Sequence, residues 1–136
     1  MARILAVDFG ERRIGLATSD ASARLATPRV TLLRKSDDAV LEELARFAGR
    51  EEIALAVFGI PRSPDGLESP LAGRIRSFAA KFEQRTGLPV RFHEETLTSD
   101  EAARRLPRGA PKADVDRAAA AVLLEDYLSN APRGSR

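Results

Sequence analysis

Three carboxylate sites stand at the ends of segments with the composition of core elements. Asp8 follows the apolar run Ile4-Leu5-Ala6-Val7 and precedes Phe9-Gly10, Glu94-Glu95 closes Leu88-Pro89-Val90-Arg91-Phe92, and Asp116 opens an alanine-rich stretch near the end of the chain. A carboxylate at the end of a buried strand is costly unless a hydrogen-bond donor, a basic partner or a metal ion satisfies it. The chain has no cysteine and one histidine, His93, which excludes thiolate ligands and a His-rich zinc site. Three carboxylates then suit a hard, oxygen-seeking ion, Mg²⁺ or Mn²⁺, which keeps waters and completes its shell with substrate phosphate. Two such ions about 4 Å apart can activate a water and stabilise the leaving oxygen of a phosphodiester. The competing reading makes each acid a helix cap or the ion-pair partner of an arginine.

Spacing separates some of these acids. Asp116, Ala120, Leu123 and Tyr127 recur at intervals of four, three and four, which places them on one helix face. That face is largely apolar, so it is expected to pack on a sheet and turn Asp116 inward. Asp114 lies about 200° away around the helix, on a stripe ending at Glu125, and is well placed as an N-cap. Asp116 is therefore preferred over Asp114. In a strand, Glu94 and Glu95 point to opposite faces, so at most one can meet Asp8, and spacing leaves open which.

The elements that must position these groups are legible from periodicity. Arg3 to Asp8 is the first expected strand, Gly10-Glu11-Arg12 a turn, Ile14 to Thr18 the second strand and Arg29 to Leu33 the third, after Pro28. Three short strands in sequence suggest an antiparallel meander. Val40, Leu41, Leu44 and Phe47 then form a helical stripe that Gly49 is expected to end. Ile53 to Phe58 reads as a strand broken at Gly59-Ile60-Pro61. Leu71, Ile75, Phe78 and Phe82 mark a second helix, running to about Thr86-Gly87. Val90 to Glu94 is the fifth strand. Thr98-Ser99-Asp100-Glu101 has the capping-box pattern of a third helix, which Pro107 breaks. The last helix is expected from about Asp114 to Ser129. The order β-β-β-α-β-α-β-α-α predicts an α/β fold with a mixed sheet flanked by helices.

At 136 residues the chain is expected to form one domain over residues 1–129, with 130–136 as a frayed polar tail. The net charge of +2 says little about partners. Of 22 basic residues only Lys35, Lys81 and Lys112 are lysine. Arginine grips phosphates bidentately, although a GC-rich genome produces the same excess. No apolar run approaches the roughly 20 residues of a membrane span, and no leader pattern precedes the first strand. The expectation is a cytoplasmic protein that acts without a membrane.

The chain also resembles the YqgF/RuvX family of RNase H-like nucleases. The matching motifs are Ala6-Val7-Asp8-Phe9-Gly10 with Arg13-Ile14-Gly15-Leu16-Ala17-Thr18-Ser19-Asp20, and Val57-Phe58-Gly59-Ile60-Pro61 with Asp65-Gly66. They continue with Glu94-Glu95-Thr96-Leu97-Thr98-Ser99 and Val115-Asp116-Arg117-Ala118-Ala119-Ala120, in family order. The resemblance implies an RNase H-like fold, a central five-stranded mixed sheet in which parallel strands join the meander. It implies catalytic, metal-binding carboxylates at Asp8, Glu95 and Asp116, and so selects Glu95 over Glu94. Members are associated with maturing the 5′ end of precursor 16S rRNA, and were proposed to resolve Holliday junctions by analogy to resolvases. Two departures are Glu94, where aspartate is more usual, and Thr96, where arginine is common.

Arg12 and Arg13, in the turn after Asp8, are candidates to hold a nucleic-acid backbone, as are Arg62 in the loop after Pro61 and Arg108 and Lys112 before Asp116. His93 reads as a strand-end residue rather than a base. Asp8-Phe9-Gly10 with Gly15 also resembles the phosphate loop of actin-like and sugar-kinase ATPases, but those need two such domains. The expected activity is therefore a Mg²⁺- or Mn²⁺-dependent nuclease acting on precursor 16S rRNA. A DNA junction resolvase and a non-catalytic nucleic-acid-binding module are the alternatives, and the chain is expected to be a monomer or a homodimer.

Overall fold

The computed structural model describes residues 3–10, 12–61, 69–95 and 102–130, the side chain of Glu95 excepted. Five strands and three helices are defined among them. These are β1 (Arg3–Phe9), β2 (Arg13–Ser19), β3 (Ala26–Leu33), α1 (Asp37–Arg50), β4 (Ile53–Pro61), α2 (Pro70–Thr86), β5 (Val90–Glu95) and α3 (Lys112–Asn130). The strands form one sheet in the order β3-β2-β1-β4-β5. The pairs β1–β2 and β2–β3 are antiparallel, whereas β4 lies parallel to both β1 and β5. This is the expected mixed sheet.

Alternation along β1 builds two layers. Leu5, Val7 and Phe9 face α1 and α2, where they meet Val40, Leu44, Phe47, Ile75, Phe78 and Phe82. Ile4 and Ala6 face the other way, onto Ala120, Ala121, Leu123 and Leu124 of α3. A smaller cluster of Ala102, Ala118, Ala119 and Val122, with Leu106 and Val115, covers a second side of α3. That helix is thus buried on two faces, the reason its sequence shows so little amphipathic contrast.

Several boundaries differ from the expected ones. Helix α1 starts as its sequence suggests, with Ser36 Oγ accepting the Ala39 N–H at 3.1 Å. It does not stop at Gly49, because the chain reverses through Glu52 at φ +56 instead. Helix α2 does end at its glycine, Gly87, at φ +76. Pro28 lies inside β3, opposite Ala17 at a register shift, which an edge strand tolerates. Strand β4 runs through Gly59-Ile60-Pro61 because its ladder to β5 continues there, pairing Gly59 with His93 and Pro61 with Glu95. Residues 102–104 are helical, and the Thr98–Glu101 capping box lies outside the described residues. No helix among the described residues is long and apolar enough to cross a membrane.

Candidate active site

Asp8 belongs to the side of β1 that faces α3, two positions beyond Ala6. It pairs with Gly15 of β2, which pairs in turn with Thr31 of β3. Directly paired residues share a face and stand about 4.5–5.5 Å apart between Cα atoms, so these three make a row across adjacent strands. The first turns of α3 sit on that row. Thr31 Oγ1 donates to the Ala113 carbonyl at 2.6 Å. At Gly15 the contact is backbone to backbone: a Cβ there would stand 2.1 Å from the Asp116 carbonyl oxygen and 2.4 Å from its carbon. Only glycine admits this approach. Asp8 and Asp116 thereby become neighbours across one residue, each on an element fixed by its own core.

Asp116 does not open α3. It is the fifth residue of a helix that begins at Lys112, because the Pro111 carbonyl already accepts the N–H groups of Asp114 (3.0 Å) and Val115 (3.2 Å). Asp114 is accordingly not the N-cap but a first-turn residue, which pairs with Arg117 one turn along. Asp116 is half-buried, and its Oδ2 accepts a hydrogen bond from Arg13 Nε at 2.7 Å. Asp8 is also half-buried.

Strand register divides the glutamates of β5. His93 pairs with Gly59 and contacts α3 directly, through Asp126 Oδ2 at 2.5 Å and the edge of the Tyr127 ring. Alternation then puts position 95 on the α3 side of the sheet and Glu94 on the opposite side, where it is exposed. No group of three acidic or His side chains that could hold a metal occurs among the described residues. The third expected ligand, the Glu95 carboxylate, lies outside them. The described donors fit a hard cation: two carboxylates, one on β1 and one on the helix packed against that face, with no cysteine in the chain.

The basic candidates separate. Arg12, Arg108 and Lys112 are exposed, Arg62 lies outside the described residues, and Arg13 is committed to Asp116. Arg34 is a residue that sequence reasoning missed. Its backbone N–H donates to the Arg12 carbonyl at 2.8 Å, and its Nη1 reaches the Gly10 carbonyl at 3.3 Å. Its guanidinium lies 4.4 Å over the Phe9 ring and bonds Asp37 at 2.8 Å. It thus fixes the turn that carries Arg12 and Arg13 away from Asp8. Gly10 closes that turn, donating to the Arg13 carbonyl at 2.9 Å. The only sequence signal for Arg34 is its place at the exit of β3.

An antiparallel meander extended by two parallel strands, with one acid on the central strand and another on the last helix, defines the RNase H-like class of α/β proteins. Within it, the model of the RuvX family, described as Holliday junction resolvase, matches residues 2–130, and the chain belongs to that family. Among its relatives, a protein of Anaeromyxobacter dehalogenans (strain 2CP-C) is 40% identical over 131 residues, covering 93% of this chain and 96% of the relative. One of Anaplasma marginale (strain St. Maries) is 37% identical over 134 residues, covering 95% and 85%. Both bear the name "Putative pre-16S rRNA nuclease". Similar solved structures include T. thermophilus RuvC in complex with a Holliday junction, at TM-score 0.62 and 10% identity over 96% of this chain and 98% of that one. The fowlpox virus resolvase bound to junction DNA has TM-score 0.57 and 14% identity over 93% and 97%. At such identities these structures share the fold.

Proposed function

We propose that this protein is a divalent-metal-dependent nuclease that hydrolyses phosphodiester bonds in precursor 16S rRNA. The observation that carries the reading is that Gly15 pairs with Asp8 in the sheet and seats the Asp116 backbone, on the sheet face to which position 95 also belongs. Asp8, Asp116 and Glu95 would hold Mg²⁺ or Mn²⁺ through oxygen alone. The ion, when bound, supplies an activated water and positive charge for the leaving oxygen. The chain's own task is to keep the carboxylates in register, Asp8 through the β1 ladder and Asp116 through its backbone seat on Gly15. Arg12, Arg108 and Lys112 are exposed cations available to the substrate backbone, a role also proposed for Arg62. The names of the relatives support the RNA substrate, and membership of the family supports the nuclease.

A second reading, a DNA junction resolvase, is favoured by the description of the family and by the two junction-bound neighbours. One experiment separates them. Wild type and Asp8→Asn are incubated with a 5′-extended 16S rRNA fragment and with a four-way DNA junction, each with Mn²⁺ or EDTA. Metal-dependent RNA cleavage that Asp8→Asn loses by about a thousandfold or more is the expected result. Cleavage confined to the junction would replace the RNA reading with the resolvase. Equal inertness with undiminished binding would make the protein a binding module.

A further inference from the structure

Arg13 stands on the same face of β2 as Gly15, two positions along, and its Nε donates to Asp116 Oδ2 at 2.7 Å. Both side chains keep 28% of their surface exposed, so the pair is accessible from solvent rather than locked in the core. The Arg13 side chain makes no hydrogen bond to any other described residue. Its guanidinium is therefore held by the carboxylate alone, on an arm whose four remaining N–H groups are uncommitted within the described chain. Asp114 and Arg117 neutralise each other one turn away, so Arg13 is the cation that balances Asp116.

We infer that Arg13 is the resident counter-cation of Asp116 and that a divalent ion must displace it to use that carboxylate. This deepens the nuclease reading and rests on it. A guanidinium and a dication on one carboxylate repel each other at a separation well inside the screening length. The flexible arginine is the partner that can leave. Its departure costs a charge-assisted hydrogen bond, which lowers metal affinity at rest. The freed guanidinium then lies beside the ion, in a position suited to a phosphate oxygen. Arg13 is on this view a positioning residue that keeps Asp116 oriented before the ion arrives and weakens binding of the ion in the absence of substrate.

The test measures metal binding without nucleic acid, by titration calorimetry of the full chain with Mn²⁺. Arg13→Gln is expected to tighten Mn²⁺ binding about tenfold, and Arg13→Lys, which keeps the charge, to stay within about threefold of wild type. In the Asp116→Asn background the effect of Arg13→Gln should vanish, since the cycle isolates the coupling of the two side chains. In parallel, the Arg13 Nε–H resonance of ¹⁵N-labelled wild type should shift and exchange faster with water as Mg²⁺ is added. Equal Mn²⁺ affinity in wild type and Arg13→Gln, or an Nε–H signal unmoved at saturating Mg²⁺, overturns the displacement while leaving the nuclease reading standing. Tightening of Arg13→Lys equal to that of Arg13→Gln also overturns it. Absence of any Mn²⁺ binding by both wild type and Arg13→Gln overturns the displacement, and the metal-dependent cleavage assay then decides the nuclease reading separately.

Discussion

Gly15 links the strand of Asp8 to the helix of Asp116. Its neighbour there is backbone, which cannot rotate away from an added methyl group. Gly15→Ala is therefore expected to lower stability by about 3 kcal/mol, read from urea midpoints, and to abolish nuclease activity by lifting α3 from β2. Gly73→Ala is the matched control. No described residue comes within 4 Å of a Cβ added at that position in α2, so the same change should raise stability by about 0.5–1 kcal/mol. At this scale the sequence was informative about acids and silent about their partners. Asp8 was legible because a charge ending an apolar strand breaks a pattern, and Asp116 because its helical face is apolar. The Arg13–Asp116 bond joins positions 103 residues apart, and no local pattern encodes it. Gly15 stood in a recognisable motif, but that it serves as the seat of a helix backbone is a fact of packing.

Among the elements, α3 has the most demanding place, since its first turns must be held to the sheet before the apolar contacts of Ala120 and Leu123 take over. Thr31 supplies that hold from the edge strand. Thr31→Val removes one 2.6 Å hydrogen bond at nearly constant volume and is expected to cost about 1 kcal/mol in denaturant unfolding. A loss of activity larger than that stability change explains would show that Thr31 also orients the Asp116 turn. Helix interiors were readable from their stripes, because core packing and periodicity report the same face. Helix and strand ends were less so. α1 passes its glycine because Glu52 takes the left-handed turn, and β4 passes Gly59-Ile60-Pro61 because the ladder to β5 outweighs local turn chemistry. The start of α3 before Asp114 depends on a carbonyl of Pro111, which no side-chain signal announces.

Over the whole molecule, an ionic tie joins β1, β3 and the end of α1. Glu51 Oε1 accepts from Arg29 at 2.9 Å and from Arg3 at 3.1 Å, and Arg3 also bonds the Glu51 carbonyl at 3.0 Å. The hydrogen bond from Arg29 is the main cause that holds the Glu51 carboxyl below its ordinary value of 4.5. Its folded-state value being the lower one, the tie stabilises fully above about pH 4.5 and fades as pH falls through the depressed value. Glu51→Gln should cost about 1 kcal/mol at pH 7, since the groups are only partly buried. It should also flatten the acid side of the stability curve, which urea unfolding from pH 7 to pH 3 would record. The order of the elements along the chain carries a further consequence. The strand bearing Asp8 comes first among the described elements and the helix bearing Asp116 last, so during synthesis all five strands leave the ribosome before Asp116 does. On the proposed site, a copy arrested before Lys112 would carry the whole sheet yet lack one of the three carboxylates, and is expected to cut nothing.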